Sequence, residues 1–448
     1  MAQKMDWSLL INDKRLGLED FHDPNKSRVR TDFRRDFDRL VFSSPFRRLQ
    51  NKTQVFPLPG SIFVHNRLTH SMEVACVGKS MADEIAIGLR ERHTDCRPEI
   101  FDHIGDIVSA ACLAHDLGNP PFGHSGEKAI STFFSEGEGK SLQLMLSERE
   151  WADLTHFEGN ANAFRVLTHQ FKGRRRGGFA MTYSTVASIV KYPFESRLAT
   201  KNKFGFFTSE IGDFVKVADE LGMIRLDAPD GAVRYARHPL VYIVEAADDI
   251  CYEVMDIEDA HKLRILSTRE VIDAFLSYFG EDQRRHMTEV MDRVSDPNEK
   301  IAYLRSCVVG TLVKNCAATF LRHEDDILSG TMEGPLLEYI NELERNGYAR
   351  CNDLSWEKIY RSGDVVDIEL AGNRIITFLL QKLIHAVLNP ELNYSRLLLA
   401  KFPDQYDVAA PNLYGRIQAV LDHVSAMTDV YALDLYRKLN GIQLRIEN

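Results

Sequence analysis

An apolar helical stripe that ends in a histidine–aspartate doublet constrains this chain more than any other feature. Over residues 101–117, Ile104, Ile107, Val108, Ala111 and Cys112 recur at helical spacing, and His115 and Asp116 close the run. Gly118, Asn119 and Pro120 then stop the helix, so both polar side chains project from a fixed terminus. A helix lined by Ile, Val and Ala has no structural need for such a pair. Two further residues of the same chemistry lie far away in sequence. His70, in RLTHS, falls in the first turn of a helix predicted to open after Thr69 and run to about Arg92. Asp248, in EAADDICY, lies on a helix predicted over 238–255 among Val244, Ala246, Ala247 and Ile250. A carboxylate on so apolar a face is costly unless it is paired or metal-bound, and spacing leaves Asp248 and Asp249 as alternatives. Two imidazoles and two carboxylates on separate helices can close around one divalent cation. Mixed nitrogen and oxygen ligands suit Mn, Fe, Mg or Zn, with positions open for water and substrate. The chain reads as a metal-dependent hydrolase.

The same periodicity extends over most of the sequence, and the fold class expected is all-α. A short helix is predicted around Trp7–Leu10. Residues 32–50 place Phe33, Phe37, Leu40 and Val41 on one helical face with arginines opposite. Residues 54–64 hold two prolines and a glycine and predict an irregular loop or short hairpin. Further helices are expected at 157–170 and 182–191, with strand candidates only near 204–207 and 223–235. Beyond 260 the pattern stays helical, with loops near 278–283, 296–299, 329–335 and 404–412. The most apolar run, IITFLLQKLIHAVL at 375–388, is too short to span a bilayer and predicts a buried helix. We expect residues 1–65 to contribute to the substrate site, 66–260 to form a metal-bearing helical core, and 261–448 to pack on that core as a helical region.

Composition removes several function classes. The net charge of −10 argues against general nucleic-acid binding, though not against local basic sites. Such clusters occur at Arg34-Arg35, at Arg47-Arg48 with Lys52, and at Lys172 with Arg174-Arg175-Arg176. Glycines flank the last, which predicts a solvated loop. The seven cysteines contain no C-x-x-C pair, which argues against a disulfide framework or thiolate zinc and for a reducing cytoplasm. Cys112 and Cys251 are expected to be core packing. The first residues do not resemble a signal peptide.

His124 and Glu127 lie three residues apart at the start of the helix after the Pro-Gly turn, hence on one face. There the carboxylate can orient the imidazole and raise its pKa for general acid/base work. A helix cap with a dipole-favoured Glu is the structural alternative.

Together, RLTHSMEV, HDLGNPPFGHSGE, HFEGNANAFRVL and EAADDICYEVMDIEDA, with FSSPFRRLQNKTQVFPL upstream, resemble the deoxyguanosine-triphosphate triphosphohydrolases of the HD superfamily. The resemblance covers roughly residues 28–260. It implies hydrolysis of a deoxynucleoside triphosphate to deoxynucleoside and intact inorganic triphosphate. It also implies His70, His115, Asp116 and Asp248 as metal ligands, with Mn or Mg favoured for activity, and His124 and Glu127 as the catalytic pair. Gln54 matches a glutamine that reads the sugar 3′-hydroxyl, Tyr252 a tyrosine beneath the deoxyribose that crowds out a 2′-hydroxyl, and Asp256 a sugar contact. Arg67, His156 and Lys191 match phosphate contacts, and Arg48 and Lys52 are placed in sequence to add positive potential. Asn162 departs from the pattern, since relatives often carry Gln there. Members of this family imply a ring-like homo-oligomer, a tetramer or hexamer, with a nucleotide or single-stranded DNA as a further effector. A phosphohydrolase acting on nucleoside monophosphates would share these motifs, and a regulatory protein that binds nucleotide or single-stranded DNA without turnover could use the basic segment 172–176.

Overall fold

The most deeply buried element is the one that ends in the doublet. In the computed structural model, which describes residues 4–23, 30–56, 64–94 and 97–442, every residue of the Ile104–Ala114 helix except Asp106 is buried. A helix apolar all round belongs at the centre of a helical body. It packs against the Arg67–Arg92 and Asp32–Val41 helices, and Val241–Lys262 and Pro297–Arg322 pack in turn on Arg67–Arg92. Gly78 permits a close crossing of the Arg67–Arg92 and Ile104–Ala114 helices, since a Cβ there would stand 2.7 Å from Cys112 Sγ. The predicted Trp7–Leu10 helix is present, and Cys112 and Cys251 are both fully buried.

The Arg67–Arg92 helix opens earlier than its sequence signal. The Asn66 side chain accepts from the amides of Leu68 and Thr69, and the Thr69 hydroxyl accepts from the Asn66 amide. This reciprocal cap places Thr69 inside the helix and His70 as its fourth residue. The expected helix over 32–50 is broken at Phe42, where Ser43 caps a new short helix, Ser44–Arg48. Pro297 does not mark a loop: it is the first residue of a 26-residue helix capped by Asp296, a position where its missing N–H costs nothing. The strand candidates at 204–207 and 223–235 form only isolated bridges, Glu195 with Phe206, Phe194 with Arg234 and Arg225 with Tyr235. Residues 57–63 of the expected loop lie outside the described residues. The fold is all-α.

A second apolar cluster joins the Gly123–Ser135 helix to the C-terminal helices Gly363–Leu388, Leu413–Ser425 and Asp429–Leu439. The 375–388 run is buried there as expected. Among the described residues, no helix is long and apolar enough to cross a membrane. The described cysteines are all free, and Cys96 lies outside the described residues.

One charge network ties the segment before the Arg67–Arg92 helix to the Val241–Lys262 helix. His65 Nδ1 lies 2.8 Å from Asp259 Oδ2 and its Nε2 3.0 Å from Glu73 Oε1. Burial opposes a charge on this ring, but its hydrogen bonds to the two carboxylates outweigh burial and push its pKa up to about 10. The folded state therefore holds a proton that the unfolded chain releases near pH 6.5. The resulting stabilisation is full below about pH 6.5 and is lost as pH rises through about 10. Thermal unfolding from pH 6 to 10 is expected to show this loss in the wild type and a flatter profile in His65→Gln; parallel profiles would contradict it.

Candidate active site

Three helices each deliver one candidate ligand to a common point. His70 comes from the first turns of Arg67–Arg92, His115 terminates Ile104–Ala114, and Asp248 projects from Val241–Lys262. Asp248 Oδ1 lies 3.0 Å from His70 Nε2 and 3.4 Å from His115 Nε2. One ligand atom from each residue lies within 4.8 Å of the other two. His115 Nδ1 donates to the Cys112 carbonyl at 2.6 Å, which turns Nε2 toward the cluster. That Nε2 is buried and makes no hydrogen bond among the described residues. Burial disfavours a charge on His115, yet Asp116 and Asp248 outweigh it and push its pKa up to about 9. The pocket thus favours positive charge at this nitrogen. An orphaned imidazole nitrogen beside a second imidazole and a carboxylate fits a divalent transition metal.

Asp116 stands one step aside. Its Oδ1 is 3.6 Å from His115 Nε2, while Arg67 Nη1 donates to Oδ2 at 2.8 Å and Asn119 Nδ2 donates to Oδ1. Burial pushes its pKa up, but the Arg67 guanidinium prevails and holds it below the usual carboxylate range. Gly123 makes room for this clamp: its φ is +56°, and a Cβ would meet Arg67 Nη2 at 2.5 Å. Asp249 does not join the histidines. Burial pushes it up to about 7 against the pull of Lys191, which itself pairs with Glu245 at 3.2 Å.

The Gly123–Ser135 helix, opened by Phe122 in the left-handed conformation, aims His124 and Glu127 at the same space. His124 Nδ1 lies 2.8 Å from Glu127 Oε2, and Glu127 Oε1 accepts from the Gly159 amide at 2.8 Å. Glu127 is buried whereas the His124 side chain is 75% exposed, so the imidazole is the accessible member. Burial pushes Glu127 up, but the charge of His124 and their hydrogen bond bring it down to about 2. The same carboxylate raises the pKa of His124.

His115, Asp116, Asp248, His124 and Glu127 all line one cavity of about 330 Å³. Gln54, Arg67, Lys191 and Tyr252 line it too. Gln54 Oε1 is buried there without a hydrogen-bond partner among the described residues. Asp256, His156, Arg48 and Lys52 are not on its wall. Asp256 is buried one turn beyond Tyr252, where it accepts from the Tyr360 hydroxyl at 2.9 Å. His156 Nδ1 donates to the Ala152 carbonyl at 3.0 Å. Arg48 and Lys52 line a separate, larger cavity, and the buried Lys52 ammonium donates to the carbonyls of Asn119 and Ser425.

Sequence reasoning missed Lys203, Glu158 and Tyr360. Lys203 Nζ pairs with Glu158 Oε1 at 2.6 Å in the cavity wall. Glu158 stood within a quoted motif, and its side chain caps the Gly159–Thr168 helix, a role that the usual Ser, Thr, Asp or Asn signal does not announce. Lys203 lies in an irregular segment with no periodic signal. Tyr360, from the C-terminal half, stacks on Tyr252 with centroids 6.0 Å apart and rings inclined by 24°.

Residues 67–251 match the HD domain family, and residues 348–438 match the phosphohydrolase-associated domain. The second match gives an identity to part of the C-terminal half, where the sequence offered no motif. The chain is 37% identical to a deoxyguanosinetriphosphate triphosphohydrolase-like protein of Pseudomonas aeruginosa, over 98% of this chain and 99% of the relative. A protein of the same description from Synechocystis is 36% identical, over 98% and 100%. A deoxyguanosinetriphosphate triphosphohydrolase of Salmonella paratyphi A is 31% identical, over 92% and 94%.

Proposed function

This chain belongs to the deoxyguanosinetriphosphate triphosphohydrolase-like family of HD-domain proteins, and from that premise we propose that it hydrolyses deoxynucleoside triphosphates to deoxynucleoside and inorganic triphosphate. One observation carries the reading: the His124–Glu127 pair opens onto the same cavity as His115 and Asp248, so an acid/base pair and a candidate metal site face one substrate. His70, His115, Asp116 and Asp248 would hold a divalent ion, Mn or Mg by preference. Bound there, the ion polarises a phosphoryl oxygen and lowers the pKa of water.

The chain's own residues do the rest. Arg67, Lys191 and Lys203 offer three cations to a triphosphate of about four negative charges. Cleavage between the α-phosphorus and the 5′-oxygen expels an alkoxide, a poor leaving group. His124 supplies its proton, and Glu127 orients the ring and keeps it charged. Gln54 Oε1, unpartnered and facing the cavity, accepts from the sugar 3′-hydroxyl. Tyr252, backed by Tyr360 and Asp256, forms the floor under the deoxyribose and excludes a 2′-hydroxyl. His156, Arg48 and Lys52 are given no substrate contact in this proposal. A homo-oligomer acting on cytoplasmic deoxynucleotide pools is part of the same reading.

The test is a product assay with Mn²⁺ and each deoxynucleoside triphosphate, singly and mixed. Deoxynucleoside with triphosphate is the expected result; phosphate release from monophosphates alone would replace the proposal with the monophosphatase reading. Tyr252→Ala is expected to raise the ribonucleotide-to-deoxynucleotide ratio of kcat/KM by about tenfold or more. An unchanged ratio would remove the steric role of Tyr252.

A further inference from the structure

A carboxylate from the C-terminal region reaches the backbone on either side of the catalytic cavity. Asp429 is the first residue of the Asp429–Leu439 helix and is buried. An acid in a first turn has an ordinary explanation, the helix dipole. That explanation does not account for its contacts. The helix is already capped by a neighbour, since the Thr428 side chain accepts from the Tyr431 amide at 3.1 Å. Both Asp429 oxygens accept from backbone outside the helix. Thr53 N donates to Oδ2 at 2.7 Å, and Phe122 N donates to Oδ1 at 2.9 Å.

Each donor stands beside a residue of the site. Thr53 precedes Gln54, and Phe122 lies two residues before His124. Phe122 is a non-glycine residue with φ of +63°, a left-handed conformation that persists only where its surroundings hold it. Asp429 holds its amide. On the Gly363–Leu388 helix, a Cβ at Gly372 would stand 2.7 Å from Phe122 Cβ, and the Glu369 carbonyl accepts from Ser125 Oγ at 2.7 Å. The phosphohydrolase-associated match, residues 348–438, contains Glu369, Gly372 and Asp429 alike. The other segment is pinned on two edges. Thr53 pairs with Asn66 in an antiparallel bridge, Arg67 N donates to the Lys52 carbonyl at 3.2 Å, and Asp429 takes the Thr53 amide. A rival role for Asp429 is that of counter-ion: burial pushes the Lys52 ammonium down to about 7, and the Asp429 charge works against it.

In the proposed reaction the sugar 3′-hydroxyl rests on Gln54 while His124 protonates the 5′-oxygen. The span of one deoxyribose therefore sets the separation that these two side chains must keep. We propose that Asp429 is a positioning residue that fixes the spacing of Gln54 and His124, so that recognition of the 3′-hydroxyl becomes a condition for protonating the 5′-oxygen. The inference rests on the proposed hydrolysis.

The test compares the kinetics of a deoxynucleoside triphosphate with those of its 2′,3′-dideoxy analogue, which offers Gln54 no hydroxyl. Wild type is expected to prefer the deoxynucleotide. Asp429→Asn keeps the shape but turns an N–H toward one of the two amides. It is expected to lower kcat for the deoxynucleotide about tenfold or more, and to reduce the preference in kcat/KM about fivefold or more. Asp429→Glu keeps the charge beside Lys52 on a longer arm, and the same loss of preference is expected; a wild-type preference there would mark a counter-ion and overturn the proposal. Thr428→Ala removes the cap of the same helix and is expected to lower Tm while leaving kcat and the preference at wild-type values. An equal loss of preference in Thr428→Ala traces the effect to helix stability and overturns the proposal. So does an unchanged preference in Asp429→Asn, or a wild type indifferent to the 3′-hydroxyl. A wild type that releases no triphosphate overturns the proposed hydrolysis and this inference together; one that releases it, with the preference intact in both Asp429 variants, overturns this inference alone.

Discussion

His124→Ala is expected to lower kcat by about two to four orders of magnitude while metal and substrate still bind, the range over which a positioned acid contributes. The expectation rests on accessibility: His124 is the exposed member of a pair whose carboxylate is buried and held by the Gly159 amide. A variant turning over at the wild-type rate would end the assignment. The pH profile gives an independent reading. The Glu127 charge raises the pKa of His124, so the acid form persists above the usual imidazole range and activity falls as pH rises through that raised value. Glu127→Gln removes the largest cause of the shift, and the alkaline limb is expected to move down toward about pH 6.5. If His124 attacked phosphorus directly, it would need the neutral ring, and activity would climb through the same region instead.

Asp248→Ala is expected to weaken binding of the divalent ion by more than about a hundredfold, since loss of a mere supporting partner to a ligand costs about ten- to a hundredfold. Turnover falls to background with it. Asp248 stands within 3.4 Å of both imidazole nitrogens, whereas its neighbour Asp249 feels the Lys191 charge instead. Asp249→Asn is therefore expected to retain the ion, and metal titration of both variants checks the contrast. Equal metal affinity in Asp248→Ala and wild type would place the ion elsewhere.

Much of this architecture is legible in local spacing. The stripe from Ile104 to Cys112 marked a buried helix, and Gly118–Pro120 marked its end, because periodicity and turn chemistry act over a few residues. The boundaries that moved did so for equally local reasons: Asn66 caps before Thr69, Ser43 restarts a helix, and Pro297 suits a first turn. The strand candidates failed because β-structure needs partners distant in sequence, and those segments meet theirs only at single bridges.

By itself, the sequence determined the all-α class, the doublet at the end of a buried helix, and the His124–Glu127 spacing on one helical face, all consequences of a repeat of about 3.6 residues per turn. Only the tertiary structure decided what converges. It set Asp248 rather than Asp249 against the two imidazoles, turned Asp116 to Arg67, brought Lys203 to the catalytic cavity and stacked Tyr360 on Tyr252 in its wall. It also sent Arg48 and Lys52 to the cavity behind. Those outcomes follow from how helices cross and which faces they bury, and no spacing along the chain encodes the distance between residues hundreds of positions apart.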